Sequence, residues 1–329
     1  MLCSLRRLGR RELSEYQHNR AQARGAHAAP QGQGPVRPVP VSQGKRKPKR
    51  SGGVWHVVFV ISLIVFVCAA GALAFIGYGY WHGQQNNKQL EQIGFNAPDA
   101  AELQRMDLAS FTVDWDALRA INPDVVGWIY VPGTTVNFPI VHGTDDEHYL
   151  KTDFYGQTSW VSFGSIFLSA ANAADFSDAN NIVYGHHMND GSMFSPFADF
   201  GDADTFNGHR TVYVFTPAAN YQLTTFSIVH CAADDPLAQT AFADEQERQA
   251  YVQDKVDRSA VTVAGLPSAA DMKHTFAFST CDNQASNGRW VLFAYESGST
   301  AAAGAVADDS SINPEDVAAV SEAAKETAA

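Results

Sequence analysis

The sequence predicts a mainly β protein: a closed or nearly closed β-barrel of about eight short strands, held behind one membrane-spanning helix. Three observations predict it. From Val125 to Glu296 the chain breaks into short runs rich in Val, Ile, Phe, Tyr and Thr, punctuated by Gly, Pro, Asn and Asp, the pattern of all-β closure. Within that region one stretch, Phe242–Val256, has helical texture, with apolar residues at Phe242, Tyr251, Val252 and Val256. Upstream, VWHVVFVISLIVFVCAAGALAFIGYGYW (Val54–Trp81) holds no Asp, Glu, Lys or Arg.

Taken in order, residues 1–53 mix Gln, Gly, Pro, Arg and Ala without an apolar period and are expected to be a disordered basic tail. The chain of 329 residues is acidic overall, at −12, but its charge is split. Through Arg50 there are twelve Lys and Arg against two Asp and Glu; from Ser51 onward there are eleven against thirty-three. The acidic body argues against nucleic acid as a partner.

A bilayer core of roughly 30 Å needs about 20 apolar residues in a helix, so 54–81 is long enough to span. GKRKPKR (Gly44–Arg50) lies directly before it, and such flanks stay on the cytoplasmic side. The expectation is a single-pass protein of the cell membrane, with a cytoplasmic N-terminus and an extracellular body. A cleaved signal peptide is the competing reading, with Ala72–Ala74 as the cleavage site. The apolar run continues through those residues and the basic head is long, which favours an uncleaved anchor. Val67 before Cys68 argues against a lipoprotein, leaving Cys68 as an apolar residue of the span.

Residues 82–113 are polar and read as a membrane-proximal linker or helix. DWDALRAINPD (Asp114–Asp124) is a short helix, capped by Asp114 and ended by Pro123. Val125–Val141 holds two strands around a Pro-Gly turn. Further strands are expected at Phe163–Ala170, Asn180–His187, Arg210–Thr216, Tyr221–Cys231, His274–Cys281 and Arg289–Glu296. Residues 297–329, rich in Ala, Ser and acidic residues, are expected to be disordered.

FSTCDNQASNGRWVLFA (Phe278–Ala294) forms a hairpin, with Asn287-Gly288 as its turn chemistry. Cys281 ends one strand and Arg289 begins the next, about 5 Å apart in an antiparallel pair. A guanidinium there can hold a thiolate or a developing oxyanion. A cysteine nucleophile also needs an acid/base. His186, after an apolar strand and Gly185, is placed for that; His187, its neighbour, is expected to point elsewhere if the strand geometry continues to it.

Two other readings stand beside this one. Cys231 and Cys281, outside the membrane, are candidates for a disulfide that would make the hairpin a structural staple. HGTDDEH (His142–His148) has the residue types of a zinc motif but the wrong spacing, and Gly143 spoils a helix. No metal or other cofactor is expected.

A Gly-His after a strand, Ser-Thr-Cys closing a later strand and Arg opening the next resemble the sortases, and more narrowly the class B sortases. The likeness runs through INPDVVGWIYVPGTTVNFPIVHGTDDEHYL (Ile121–Leu150), FGSIFL (Phe163–Leu168), NIVYGHHMNDGSMF (Asn181–Phe194) and the Cys281 hairpin. The resemblance implies a sortase-type barrel over 114–296 and a cysteine transpeptidase. It implies Cys281 as nucleophile, His186 as general acid/base, Arg289 as holder of substrate and oxyanion, and Ser279 and Thr280 as substrate-binding. It implies secreted proteins with an Asn-Pro-x-Thr-like C-terminal sorting signal as substrates, and a peptidoglycan precursor or pilin amine as acceptor. Two departures touch the groove: Trp160, Val161 and Ser162 stand where smaller residues are the rule, and Ser169 where an acidic residue is frequent. A cysteine hydrolase that releases peptide to water remains an alternative, although such enzymes commonly place Cys before His in the chain.

Overall fold

The computed structural model describes residues 52–158, 163–232, 235, 239–282 and 288–300. Most of the expected basic tail, Trp160–Ser162, Asn287 and the C-terminal end past Thr300 lie outside them. The chain forms two units, 1–59 and 60–329, and the barrel belongs to the second.

Eight strands close into that barrel: β1 (Val125–Tyr130), β2 (Asn137–His142), β3 (Ile166–Leu168), β4 (Asn180–Tyr184), β5 (Thr211–Phe215), β6 (Asn220–Cys231), β7 (Thr275–Cys281) and β8 (Arg289–Ser299). Their order around the barrel is β1-β2-β3-β4-β7-β8-β6-β5. The β2–β3 and β4–β7 pairs are parallel; the others are antiparallel. The turn expected at Pro132-Gly133 joins β1 to β2, with Gly133 at φ 79°, a backbone that glycine adopts without strain.

Alternation along the strands sorts side chains into two sets. Ile129, Phe138, Ile140, Val183, Phe276, Phe278 and Leu292 fill the interior. Trp128, Tyr130, Phe167, Tyr213 and Phe215 face outward and are covered from the N-terminal side by Leu90, Phe95, Phe111 and Leu118. Ile182, Ala277, Val291 and Phe293 face outward on the other flank, under Tyr251 and Val252.

Among the described residues, seven α-helices accompany the barrel: α1 (Gly52–Gly94), α2 (Ala100–Leu103), α3 (Trp115–Ile121), α4 (His148–Lys151), α5 (Pro196–Asp199), α6 (Ala203–Gly208) and α7 (Glu245–Asp257). Among the described residues, α1 is the one helix long and apolar enough to cross a membrane, by length and composition. Asp114 caps α3, accepting from Ala117 N at 2.9 Å. α7 is the helix inserted before the cysteine strand, and its buried face includes Arg248 and Lys255 as well as Tyr251 and Val252. Periodicity of apolar residues alone misses these two. The Arg248 guanidinium donates to the carbonyls of Met272 (2.5 Å) and Ala269 (3.2 Å), and Lys255 lies over the Tyr251 ring at 4.5 Å.

At the start of β7, buried His274 donates through Nδ1 to Glu296 Oε2 at 2.6 Å. That hydrogen bond holds the Glu296 carboxyl below its ordinary range, against its partial burial. A carboxyl depressed in the folded state adds stability above its unfolded pKa and loses it as pH falls through the folded value. Urea midpoints measured as pH is lowered below about 4.5 should fall more steeply for the wild type than for Glu296→Gln. Parallel curves would remove the pair from the acid response.

Candidate active site

Three chain segments end side by side at one rim of the barrel. In the parallel β4–β7 pair, Tyr184 lies opposite Ser279, and Gly185 N–H donates to Ser279 O at 3.1 Å. In the antiparallel β7–β8 pair, Cys281 lies opposite Arg289. Two residues beyond Tyr184 and Ser279, His186 and Cys281 therefore leave adjacent strands at matching positions. Cys281, Arg289 and His186 are all half-buried. Cys281 and Arg289 share the parity of Ala277, Val291 and Phe293, so they belong to the outer face.

The His186 ring is cradled from one side. Its Nε2 donates to Leu150 O at 2.5 Å, so in the neutral ring Nδ1 carries the lone pair. Gly164 backs the ring at φ 53°; a Cβ there would stand 2.8 Å from the carbonyl oxygens of Tyr149 and Leu150 and 2.9 Å from His186 Cδ2. Only glycine suits that backbone and that space. Gly185 has a packing reason too: a Cβ there would meet Ile166 Cδ1 at 2.5 Å and the Phe194 ring at 2.6 Å. Close approach to the core explains this glycine, rather than a need for flexibility.

His187 takes a different partner from His186. β4 stops at Tyr184, and His187 Nδ1 donates to the Cys281 carbonyl at 2.8 Å. The side chain tethers the end of β7 across 94 residues of sequence. Thr280 takes the interior parity of Phe276 and Phe278 and is 2% exposed. Its hydroxyl is thus not presented on the face that carries Cys281. Ser279 is also buried, but on the outer parity beside Tyr184.

Ser169, the expected acidic position, hydrogen-bonds Asp146 Oδ2 at 3.1 Å, and Ala170 N–H donates to Asp146 Oδ1 at 2.7 Å. The carboxylate is supplied from another loop. Burial first, and then the Asp146 charge, push the Tyr184 hydroxyl up; Ser169 and the Arg289 guanidinium act in the opposite sense.

The disulfide alternative fails on register. Cys231 lies opposite Arg289, and Arg289 opposite Cys281, so β8 separates the two cysteines. Two strand spacings place them roughly 10 Å apart, beyond disulfide reach, and both are free thiols. Burial and Asp235 push the Cys231 thiol up to about 11, so it is a structural residue with little thiolate at neutral pH.

Behind Cys281, on the interior parity, lies a cluster with no signal in the sequence. Asp282, whose side chain is 1% exposed, accepts from His230 Nε2 at 3.0 Å. The His230 ring stacks on Trp290 at 4.4 Å and 18°. A Cβ on Gly288 would strike Asp282 Oδ2 and approach Cys231 O at 2.9 Å. These contacts fasten the base of the hairpin whose strand ends carry Cys281 and Arg289.

No protein-family model matches the chain. Sortase B of Listeria monocytogenes serovar 1/2a is 28% identical over 230 residues, 68% of this chain and 91% of that protein. Sortase B of Staphylococcus aureus is 29% identical over 169 residues, 51% of this chain and 68% of that one. The solved structure of a Staphylococcus aureus sortase B–substrate complex superposes with a TM-score of 0.56 at 24% identity, over 66% of this chain and 98% of that chain, a likeness of fold. With the closed barrel and these relatives taken together, the chain is similar to the class B sortases, and the likeness indicates a cysteine transpeptidase.

Proposed function

We propose that Cys281 is the nucleophile, His186 the general acid/base and Arg289 the group that holds the substrate carbonyl and its oxyanion. The observation that carries this reading is the register: Cys281 opposite Arg289, with His186 leaving the parallel strand on the other side. The Cys281 thiolate attacks the scissile carbonyl of a C-terminal sorting signal of the Asn-Pro-x-Thr kind. The carbonyl electrons collect on an oxygen facing Arg289. As the amide C–N bond breaks, His186 gives a proton to the leaving amine, and a thioester remains on Cys281. An acceptor amine, on a peptidoglycan precursor or a pilin, gives a proton to His186 and attacks the thioester. The new amide forms and the thiolate returns. Ser279 lies along the same face and lines the groove.

The Staphylococcus aureus relative has been solved with a substrate, which supports a peptide-binding groove at this rim. The charge-free run within α1 and the basic GKRKPKR before it support a single-pass anchor with the catalytic domain outside the cell. No metal or other cofactor enters this chemistry.

Intact mass measurement of the full chain after incubation with sorting-signal peptides tests the reading. The expected result is a mass gain equal to the N-terminal part of one peptide, mapped to Cys281 and discharged by added amine. An adduct on another residue, or release to water indifferent to amine, would sink it. Gly164→Ala gives a second test. Its Cβ displaces the His186 ring, and a misplacement near 1 Å costs about 100-fold in kcat. A wild-type kcat in that variant would remove the cradle from the mechanism.

A further inference from the structure

The apolar run of α1 ends at Trp81, yet the helix continues unbroken to Gly94. HGQQNNKQLEQIG (His82–Gly94) carries helix-disfavouring Gly83, Asn86 and Asn87 and reads in sequence as a linker. In the structure it is docked, and the docking explains the residues.

Tyr80 packs edge-on against Phe163, with ring centroids 5.6 Å apart at 74°. One turn on, Gly83 lies so close to Phe163 that a Cβ would stand 2.5 Å from its ring. Phe163 is buried and directly precedes Gly164, which backs His186. Gln84 Nε2 donates to Asp190 Oδ2 at 3.0 Å, and Asn87 Nδ2 to Met193 Sδ at 3.9 Å. Asp190 and Met193 belong to the loop that starts at His186. Phe194 N–H donates back to His186 O at 3.0 Å and closes that loop. Met193 holds φ 57°, a strained backbone for a non-glycine residue that its surroundings must enforce. Positions 80, 83, 84 and 87 follow i, i+3, i+4, i+7 and so form one helix face. That single face touches both walls around His186: the Phe163-Gly164 segment on one side and the 186–194 loop on the other.

We propose that this face of the anchor helix is a positioning element of the catalytic site, with Tyr80, Gly83, Gln84 and Asn87 bracing His186 through Phe163, Asp190 and Met193. The inference rests on His186 as the acid/base. The same helix carries the candidate membrane span, so the brace also fixes the height of the site. From Trp81 to Asn87 the helix rises about 9 Å, with no irregular linker between.

The test uses the full chain in lipid vesicles with a sorting-signal peptide and a soluble amine. Gly83→Leu wedges the helix away from Phe163. Gln84→Glu sets a like charge against Asp190, and Asp190→Asn in that background restores a donor–acceptor pair. The expected result is a kcat loss of about 10-fold or more with KM changed by less than about twofold in each single variant. Cys281 remains fully open to alkylation, the melting midpoint of Gln84→Glu stays near wild type, and Asp190→Asn recovers most of the lost kcat. His186→Ala is measured alongside. If it is inactive while Gly83→Leu and Gln84→Glu keep kcat within about twofold of wild type, the brace is wrong. If Gln84→Glu loses activity that Asp190→Asn does not recover, the Asp190 contact does not position His186 and the brace is likewise wrong. If His186→Ala is itself active, the assignment of the acid/base fails first, and the brace falls for that separate reason. Should Gly83→Leu fail to fold, the surface pair Gln84 and Asp190 carries the test alone.

Discussion

Cys281→Ala should form no thioester and transfer no peptide, a loss of about 10,000-fold or more in kcat. The argument is chemical. Removing the sulfur leaves that strand end without a thiolate to attack the substrate carbonyl. Cys231 cannot replace it, because β8 stands between them and burial keeps its thiol protonated. The fold should be indifferent, since Cys281 is half-buried at a strand end and makes no disulfide. Sorting-signal peptide should therefore still bind the variant, and fluorescence anisotropy with a labelled peptide would report it. Transfer at a rate near wild type would hand the role of nucleophile to another residue.

Arg289→Ala should lower kcat by about 10²–10³-fold, the range for losing one oxyanion donor in a water-poor site. Arg289→Lys should recover little of it. The guanidinium donates through Nη1 to Gly288 O at 3.1 Å, which orients the planar group across from Cys281. A lysine ammonium is a point charge on a flexible stem and cannot hold the carbonyl and direct a second donor at once. Thioester formation in single-turnover quench experiments separates this role from simple binding. A change confined to KM would leave Arg289 as a substrate clamp and take the oxyanion from it.

Much of the barrel was legible in the sequence. Strand runs are local, and β1 to β8 all lie at or near where the alternating and apolar runs put them. The Cys281–Arg289 pairing was legible for the same reason, since a hairpin joins neighbours in sequence. Asp114 as a cap and Pro123 as a stop were likewise readable from one turn of chain. The short helices α4, α5 and α6 were not, because four to six residues carry too little periodicity to register. The His187 contact with the Cys281 carbonyl was not legible, because β4 ends at Tyr184 and alternation no longer places the residues beyond it. Thr280, which the resemblance implies as substrate-binding together with Ser279, lies on the opposite face, because adjacent strand residues alternate.

The sequence by itself determined the strand content, the charge-free span and the local chemistry of the Cys281 hairpin. Those depend on propensity, composition and spacing within single continuous stretches of chain. Tertiary structure alone decided that β4 runs beside β7, which brings His186 to Cys281 across 94 intervening residues. It decided that Gly164 and the Leu150 carbonyl cradle the histidine, that His230 and Asp282 fasten the hairpin from behind, and that α1 reaches the His186 loop. No local window holds that information. Many strand pairings satisfy the same alternation, and the one adopted is the one that closes the barrel and buries both of its faces at once.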